Sequence, residues 1–205
     1  MDSSHVFSIR EMSNSERLFK RGMDILLCVV FAVPAVILII LAYVATKISS
    51  KGPAIFKQTR VGLKGKVFNI YKIRTMLHNP DGYVDHTKPN DNRITKLGLL
   101  LRKTKIDELP QLYNVLKGEM SIVGPRPERI HIVEQFIQKN DYYQYRHLVK
   151  PGITGWAQVN KPMATPEENL EKLEYDLFYI NNYSLRLDIK ILARTFDVVK
   201  KGESL

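Results

Sequence analysis

An α+β protein, mainly helical with a short β-hairpin and attached to a membrane through an N-terminal helix, is the fold class the sequence predicts. Three observations predict it. Ile25 to Thr46 is a run of 22 uncharged, mostly apolar residues. Short segments of helical period, bounded by turn residues, follow from residue 94 onward. One hairpin signature lies between 54 and 75. With 205 residues, 44% apolar and 25% charged, the chain is long enough to bury a core, and a polytopic transporter and a disordered polymer are both excluded. Cys28 is the sole cysteine, so no internal disulfide or structural zinc site is expected.

The apolar run sets the first element. A membrane helix needs about 20 such residues. This run exceeds a signal-peptide core and has no Ala-x-Ala cleavage site, so it reads as retained. A buried core helix is the bland alternative, weakened by apolar character all round. Pro34 removes one helical hydrogen bond and clashes with the carbonyl of Val30. At about 1.5 Å per residue, each arm reaches about halfway through a core of about 30 Å. Arg17, Lys20 and Arg21 precede the run and Lys47, Lys51 and Lys57 follow it, whereas a simple span biases Lys/Arg to one side. A re-entrant helix that enters and leaves by the cytoplasmic face, as in a monotopic membrane protein, fits this pattern. A kinked span is the alternative that the residues alone leave open.

Ser13 to Glu16 has capping-box spacing and predicts that the membrane helix, 13–46, begins there, behind a flexible tail at 1–12. A cytosolic or interfacial domain occupies 47–205. Within it, Ala54 to Thr59 and Val67 to Thr75 pair as a hairpin across the Val61 to Lys66 turn, and Leu77 to Pro89 reads as a mobile loop. Helices are expected at 94–103, 107–116 and 128–140, with a short apolar run, Met120 to Val123, between the last two. Thr165-Pro166-Glu167-Glu168 combines a capping box with proline at the first helical position and opens a helix through Asn181. The last helix sets Leu185, Ile189, Leu192, Phe196 and Val199 on one stripe, which suits an interfacial amphipathic helix or one packed on the core.

The net charge of +10 is concentrated. Residues 47–105 carry fourteen Lys/Arg and three Asp/Glu, while 1–46 carry four of each and 106–205 carry thirteen against fourteen. Such a stretch attracts phosphate on nucleic acid, anionic lipid or a small molecule, and charge does not choose among them.

The chemistry concentrates between Arg102 and Arg126. Asp107 is expected at a helix N-cap, with Glu108 at the first helical position, where the helix dipole favours ionised carboxylates. Both could approach one metal, with Mg²⁺ the natural candidate beside substrate phosphates. An ordinary helix start is the competing reading of Asp-Glu-x-Pro. Gly124-Pro125-Arg126-Pro127 holds a guanidinium on a restricted backbone, suited to gripping phosphate, although Pro-rich turns are common. Lys72 and Arg74 share a strand face by period two and could line the same anionic pocket, or equally form a solvated strand face. Pro151 to Gln158 is a glycine-punctuated loop whose Trp156 suits stacking on a base with the Gln158 amide nearby, or simply anchoring the loop.

These segments, YKIRTM (71–76), LRKTKIDELPQLYNVLKGEMSIVGPRP (101–127), KPGITGWAQVN (150–160) and LEYDLFYINNYSLRLDIKIL (173–192), resemble the bacterial sugar transferase family, the monotopic phosphoglycosyl transferases acting on undecaprenyl phosphate. The resemblance covers roughly Arg17 to Lys200. It implies a minimal catalytic form, without the multi-span N-terminal region of larger members, in the bacterial inner membrane with its catalytic domain on the cytoplasmic face. It implies a UDP-sugar donor, undecaprenyl phosphate as acceptor, Mg²⁺ at Asp107 and Glu108, and a covalent intermediate on Asp107 with release of UMP. Glu108 is then the dyad partner. Lys72, Arg74, Arg102, Pro125, Arg126, Trp156, Gln158 and Asp176 are the expected substrate-binding residues. Membrane lipids are expected partners, a second copy of the chain is compatible with the resemblance, and nucleic acid is not expected. The family's helix is re-entrant and usually has Ser before its helix-breaking proline, whereas Val33 stands here. Two competing functions are a membrane-bound glycosyltransferase releasing UDP and a non-catalytic membrane-anchored module that binds anions.

Overall fold

The structure, a computed structural model, describes residues 9–78, 91–162 and 169–202. Helix α1, Asn14–Val30, starts at the expected capping box: Ser13 Oγ accepts from Glu16 N–H and the Glu16 carboxylate accepts from Ser13 N–H. Of the expected tail, residues 1–8 lie outside the described residues. Residues 9–12 are docked: Arg10 N–H donates to Asn181 Oδ1, and Met12 is buried.

The apolar run is interrupted at Phe31 (φ −94°, ψ 3°), and α2, Ala32–Ser49, continues it. The break falls just after Val30, whose helical hydrogen bond Pro34 cannot make. Both arms return to one body. Near the start of α1, Lys20 reaches Asp188, and one turn on Asp24 reaches Ser121 and Ile122. The second half of α2 packs Ala42 and Ile39 against Ile55, Ile73, Leu97, Leu101 and Ile106. Leu26, Val29, Val30, Phe31, Val33, Val36 and Ile37, around the break, are exposed. Among the described residues, α2 is the helix long and apolar enough to cross a membrane.

Strands β1, Ile55–Val61, and β2, Val67–Ile73, form the expected antiparallel hairpin, with Phe56 opposite Lys72 and Arg60 opposite Phe68. By strand parity Phe56, Gln58, Arg60 and Lys72 share one face. Residues 79–90, most of the expected loop, lie outside the described residues. Helix α3 spans Lys96–Lys103, capped by Thr95. The helix expected from Asp107 starts later: Ile106–Glu108 is a single 3-10 turn entered through Lys105 in the left-handed region (φ 57°), and α4 is Gln111–Lys117. Asp107 is therefore not an N-cap.

Met120–Val123 yields a strand, β3, Ser121–Val123, paired in parallel with β4, Gly152–Thr154. Glycine explains the tight fit: a Cβ on Gly152 would lie 2.1 Å from the Gly124 nitrogen. Between these strands run α5, Ile130–Lys139, and 3-10 turns at Asp141–Leu148. Helix α6, Trp156–Asn160, follows β4, then α7, Asn169–Asn181, and α8, Leu185–Lys201. The expected capping box at 165–168 lies outside the described residues. Helix α8 buries Asp188 and Ile191; of its apolar stripe, Leu192 packs against the core, Val199 lines the cavity described below, and Ile189 and Phe196 are exposed. One cluster of core residues joins Val123, Val149, Tyr179, Ile180, Tyr183 and Ile191, and another seats Cys28 of α1 on Phe68, Ile70, Val115 and Met120.

Candidate active site

The hairpin face, the 3-10 turn at 106–108, the loop after β3 and helices α6 to α8 enclose a cavity of about 510 Å³. Eleven Lys/Arg and four Asp/Glu line it; six of these cations come from the basic stretch at 47–105 and five from later segments, so the concave surface is cationic.

Asp107 and Glu108 are both buried at its wall. The left-handed Lys105 turns the chain so that consecutive carboxylates sit in one tight turn. Lys72 Nζ lies 2.6 Å from Glu108 Oε1, and Arg126 Nη1 and Nη2 each lie 3.4 Å from the same oxygen. Burial opposes ionisation of Glu108, but Lys72, Arg126 and Lys105 outweigh it and hold the carboxyl well below its usual range. Asp107 is the opposite case. Its Oδ1 is buried without a hydrogen-bond partner. Burial first, and then the charge on Glu108, push its carboxyl up to about 6. The expected lowering by a helix N-terminus is thus replaced by an upward shift, because burial and the neighbouring Glu108 charge dominate at Asp107.

Arg126 stands on the backbone that leaves β3. Gly124 N–H donates to Thr154 O and Gly152 N–H to Pro125 O, both at 2.9 Å, and Arg146 Nη2 donates to Arg126 O at 2.9 Å. Arg146 also donates to Asp176 Oδ2 at 2.7 Å, so Asp176 lines the cavity with its carboxylate engaged in holding Arg146. Arg102 Nε donates to Thr75 Oγ1 at 2.8 Å. Arg74 and Gln158 also line the cavity.

Two expected residues lie elsewhere. Trp156 stacks on Phe178 at 5.7 Å between ring centroids, with Lys190 and Arg194 over its ring, and does not line the cavity. This is the loop-anchoring arrangement rather than an open stacking platform. Pro125 lines a small neighbouring pocket with His147 and Val149. Sequence reasoning missed Arg60, Lys105 and Arg146 on the cavity wall. Period-two parity from Gln58 would have found Arg60, whereas nothing local marks Lys105 as left-handed or Arg146 as inward.

The family described as bacterial sugar transferase matches residues 15–202, and the chain belongs to that family. It is 45% identical over 89% of its length to a UDP-N-acetylgalactosamine-undecaprenyl-phosphate N-acetylgalactosaminephosphotransferase of Aeromonas hydrophila, covering 44% of that protein. It is 44% identical over 90% of its length to a UDP-glucose:undecaprenyl-phosphate glucose-1-phosphate transferase of Escherichia coli, covering 40% of it. An uncharacterized sugar transferase, EpsL, of Bacillus subtilis is 46% identical over 83% of the chain, which covers 80% of EpsL. The chain thus spans less than half the length of the first two relatives.

Proposed function

We propose that this chain is a phosphoglycosyl transferase that moves a sugar-1-phosphate from a UDP-sugar to undecaprenyl phosphate, the first membrane step of polysaccharide assembly. The observation that carries the reading is Asp107: a buried carboxylate with an unpartnered oxygen, in a cavity rich in cations. One carboxylate oxygen attacks the sugar-bearing phosphorus of the donor. An acyl-phosphate P–O bond forms, the bond to the bridging oxygen breaks, and UMP leaves with the electron pair. The acceptor's phosphate oxygen then attacks the same phosphorus, the bond to Asp107 breaks, and undecaprenyl-diphosphate-sugar results.

Lys72, Lys105, Arg102 and Arg126 offset the charge of the diphosphate and of the transferring group. Glu108 remains ionised at neutral pH, which suits it to holding Lys72 and Arg126 rather than to shuttling protons. Mg²⁺ fits the donor set: Asp107 Oδ1 is a free hard oxygen, and substrate phosphates would complete the shell. When bound it would neutralise phosphoryl charge. Glu108 is the weaker ligand of the two, since its Oε1 is already shared by Lys72 and Arg126.

Two arms anchored on one body, with exposed apolar residues around Phe31, support a re-entrant anchor rather than a kinked span. Exposed Ile189 and Phe196 support contact of α8 with the bilayer surface. This supports the reading of a cavity on the cytoplasmic face of a bacterial inner membrane, where nucleotide sugar and lipid acceptor meet. The test is nucleotide release by detergent-purified protein with Mg²⁺, undecaprenyl phosphate and a panel of UDP-sugars. UMP with one donor supports the reading, whereas UDP would establish simple glycosyl transfer and overturn it.

A further inference from the structure

Lys72 and Arg74 leave the hairpin with the same parity, yet their surroundings differ. Lys72 is engaged by Glu108 at 2.6 Å. Arg74, only 7% exposed, turns to the end of α2, where its Nη2 donates to the carbonyl and the hydroxyl of Ser50 at 2.9 Å each. Its Nε and Nη1 are buried without partners, although the residue lines the cavity. Gly52, at φ +106°, brings backbone against this guanidinium; a Cβ there would lie 2.4 Å from Nη1.

Electrostatics separates Arg74 further from its neighbours. Burial lowers the pKa of Lys72, Lys105 and Arg102, and in each the charges of Asp107 and Glu108 act against that shift. Burial lowers Arg74 as well, with no carboxylate among the described residues opposing it. A buried cation lacking a counter-charge is costly, and an anionic ligand removes the cost. Ser50 closes the apolar arm α2, whose Leu41, Val44 and Ile48 are exposed. An anion carried on an apolar chain, lying along that arm, arrives beside Arg74.

We propose that Arg74, positioned by Ser50 and packed under Gly52, seats the phosphate of the polyprenyl acceptor, while Lys72, Arg102 and Arg126 hold the donor diphosphate. This rests on the phosphoglycosyl transfer reading above. The acceptor phosphate then stands between Arg74 and phosphorylated Asp107. One of its non-bridging oxygens forms the new P–O bond as the bond to the Asp107 carboxylate breaks, and the carboxylate takes the electron pair. As a dianion the acceptor has no proton to lose.

Two measurements on the detergent-purified full chain test this: equilibrium binding of a short-chain polyprenyl phosphate, and the burst of UMP formed from UDP-sugar without acceptor. Loss of a charge-assisted contact in Arg74→Gln should weaken acceptor binding by about 10-fold to 100-fold and raise the acceptor KM in parallel. The UMP burst and the donor KM should stay at wild-type values, and Arg74→Lys should restore part of the affinity. Unchanged acceptor binding in Arg74→Gln overturns the proposal. So does a selective loss of UMP affinity, which would assign Arg74 to the nucleotide. Should the Gln variant fail to fold, the ratio of acceptor to donor affinity in Arg74→Lys decides instead, and an unchanged ratio refutes the assignment. A wild-type protein that binds polyprenyl phosphate but gives no burst breaks the covalent mechanism, and the binding measurement still judges Arg74.

Discussion

Two buried ionic clusters in this molecule are built from the same residue types and differ in completeness. Beneath α1, Lys20 Nζ lies 2.7 Å from Asp188 Oδ2, Tyr179 Oη donates to Asp188 Oδ1 at 2.8 Å, and Asp24 Oδ1 accepts from Ser121 Oγ and Ile122 N–H at 2.9 Å each. In the cavity, Glu108 Oε1 is shared by Lys72 and Arg126 while Asp107 Oδ1 has no partner. A buried carboxylate costs least when its oxygens are fully hydrogen-bonded, so the first cluster anchors a helix. The second leaves one carboxylate poorly compensated, which is the condition for a nucleophile.

The largest effect expected from this contrast is at Asp107. Asp107→Asn should reduce sugar-phosphate transfer by at least about a thousandfold, read as UMP release. The same variant should be more stable at neutral pH by about 3 kcal/mol, because the folded-state pKa of Asp107 is raised from 3.8 to about 6. The sign follows from the shift: ionising Asp107 above pH 6 costs the folded state, and the cost fades as pH falls from 6 towards 3.8. Denaturant unfolding at pH 7.5 and pH 4 checks it, and equal stabilisation at both would break the comparison.

At the completed cluster the outcome should invert. Asp188→Ala strands Lys20 and should cost about 3–5 kcal/mol of stability, while the folded fraction keeps its UMP burst. A smaller effect belongs to Glu108. The burst should lose rate on the acid side as Asp107, whose carboxyl burial and Glu108 push upward, takes up its proton. Glu108→Gln removes a charge that raises Asp107, so the midpoint should move to lower pH; a midpoint left in place would show that burial alone sets it. The smallest change is expected at the exposed pair of Lys117 and Glu119, where Lys117→Ala should leave unfolding and burst indistinguishable from wild type.

Much of the molecule was legible in local pattern. The capping box at Ser13, the hairpin at 55–73, the break forced by Pro34 and the concentration of chemistry between Arg102 and Arg126 all follow from residues that act on their immediate neighbours in the chain. The start of α4 was misread because Lys105 is left-handed, a conformation that a lysine side chain does not announce. The β3–β4 pair was missed because two three-residue strands some thirty positions apart carry no period of their own; Gly124 and Gly152 were visible, but their mutual approach was not.

What the sequence by itself determined is the inventory: an apolar anchor broken by Pro34, a cationic surplus, adjacent carboxylates at 107 and 108, and Arg126 set between prolines. Tertiary structure alone decided how that inventory is shared out. It engaged Lys72 at Glu108 but left Arg74 uncompensated, turned Trp156 away from the cavity onto Phe178, and tied Asp176 to Arg146. Residue type sets what a side chain can donate, accept or neutralise, whereas the protonation and availability of a buried group depend on which distant segments withdraw water from it and which charges they bring near.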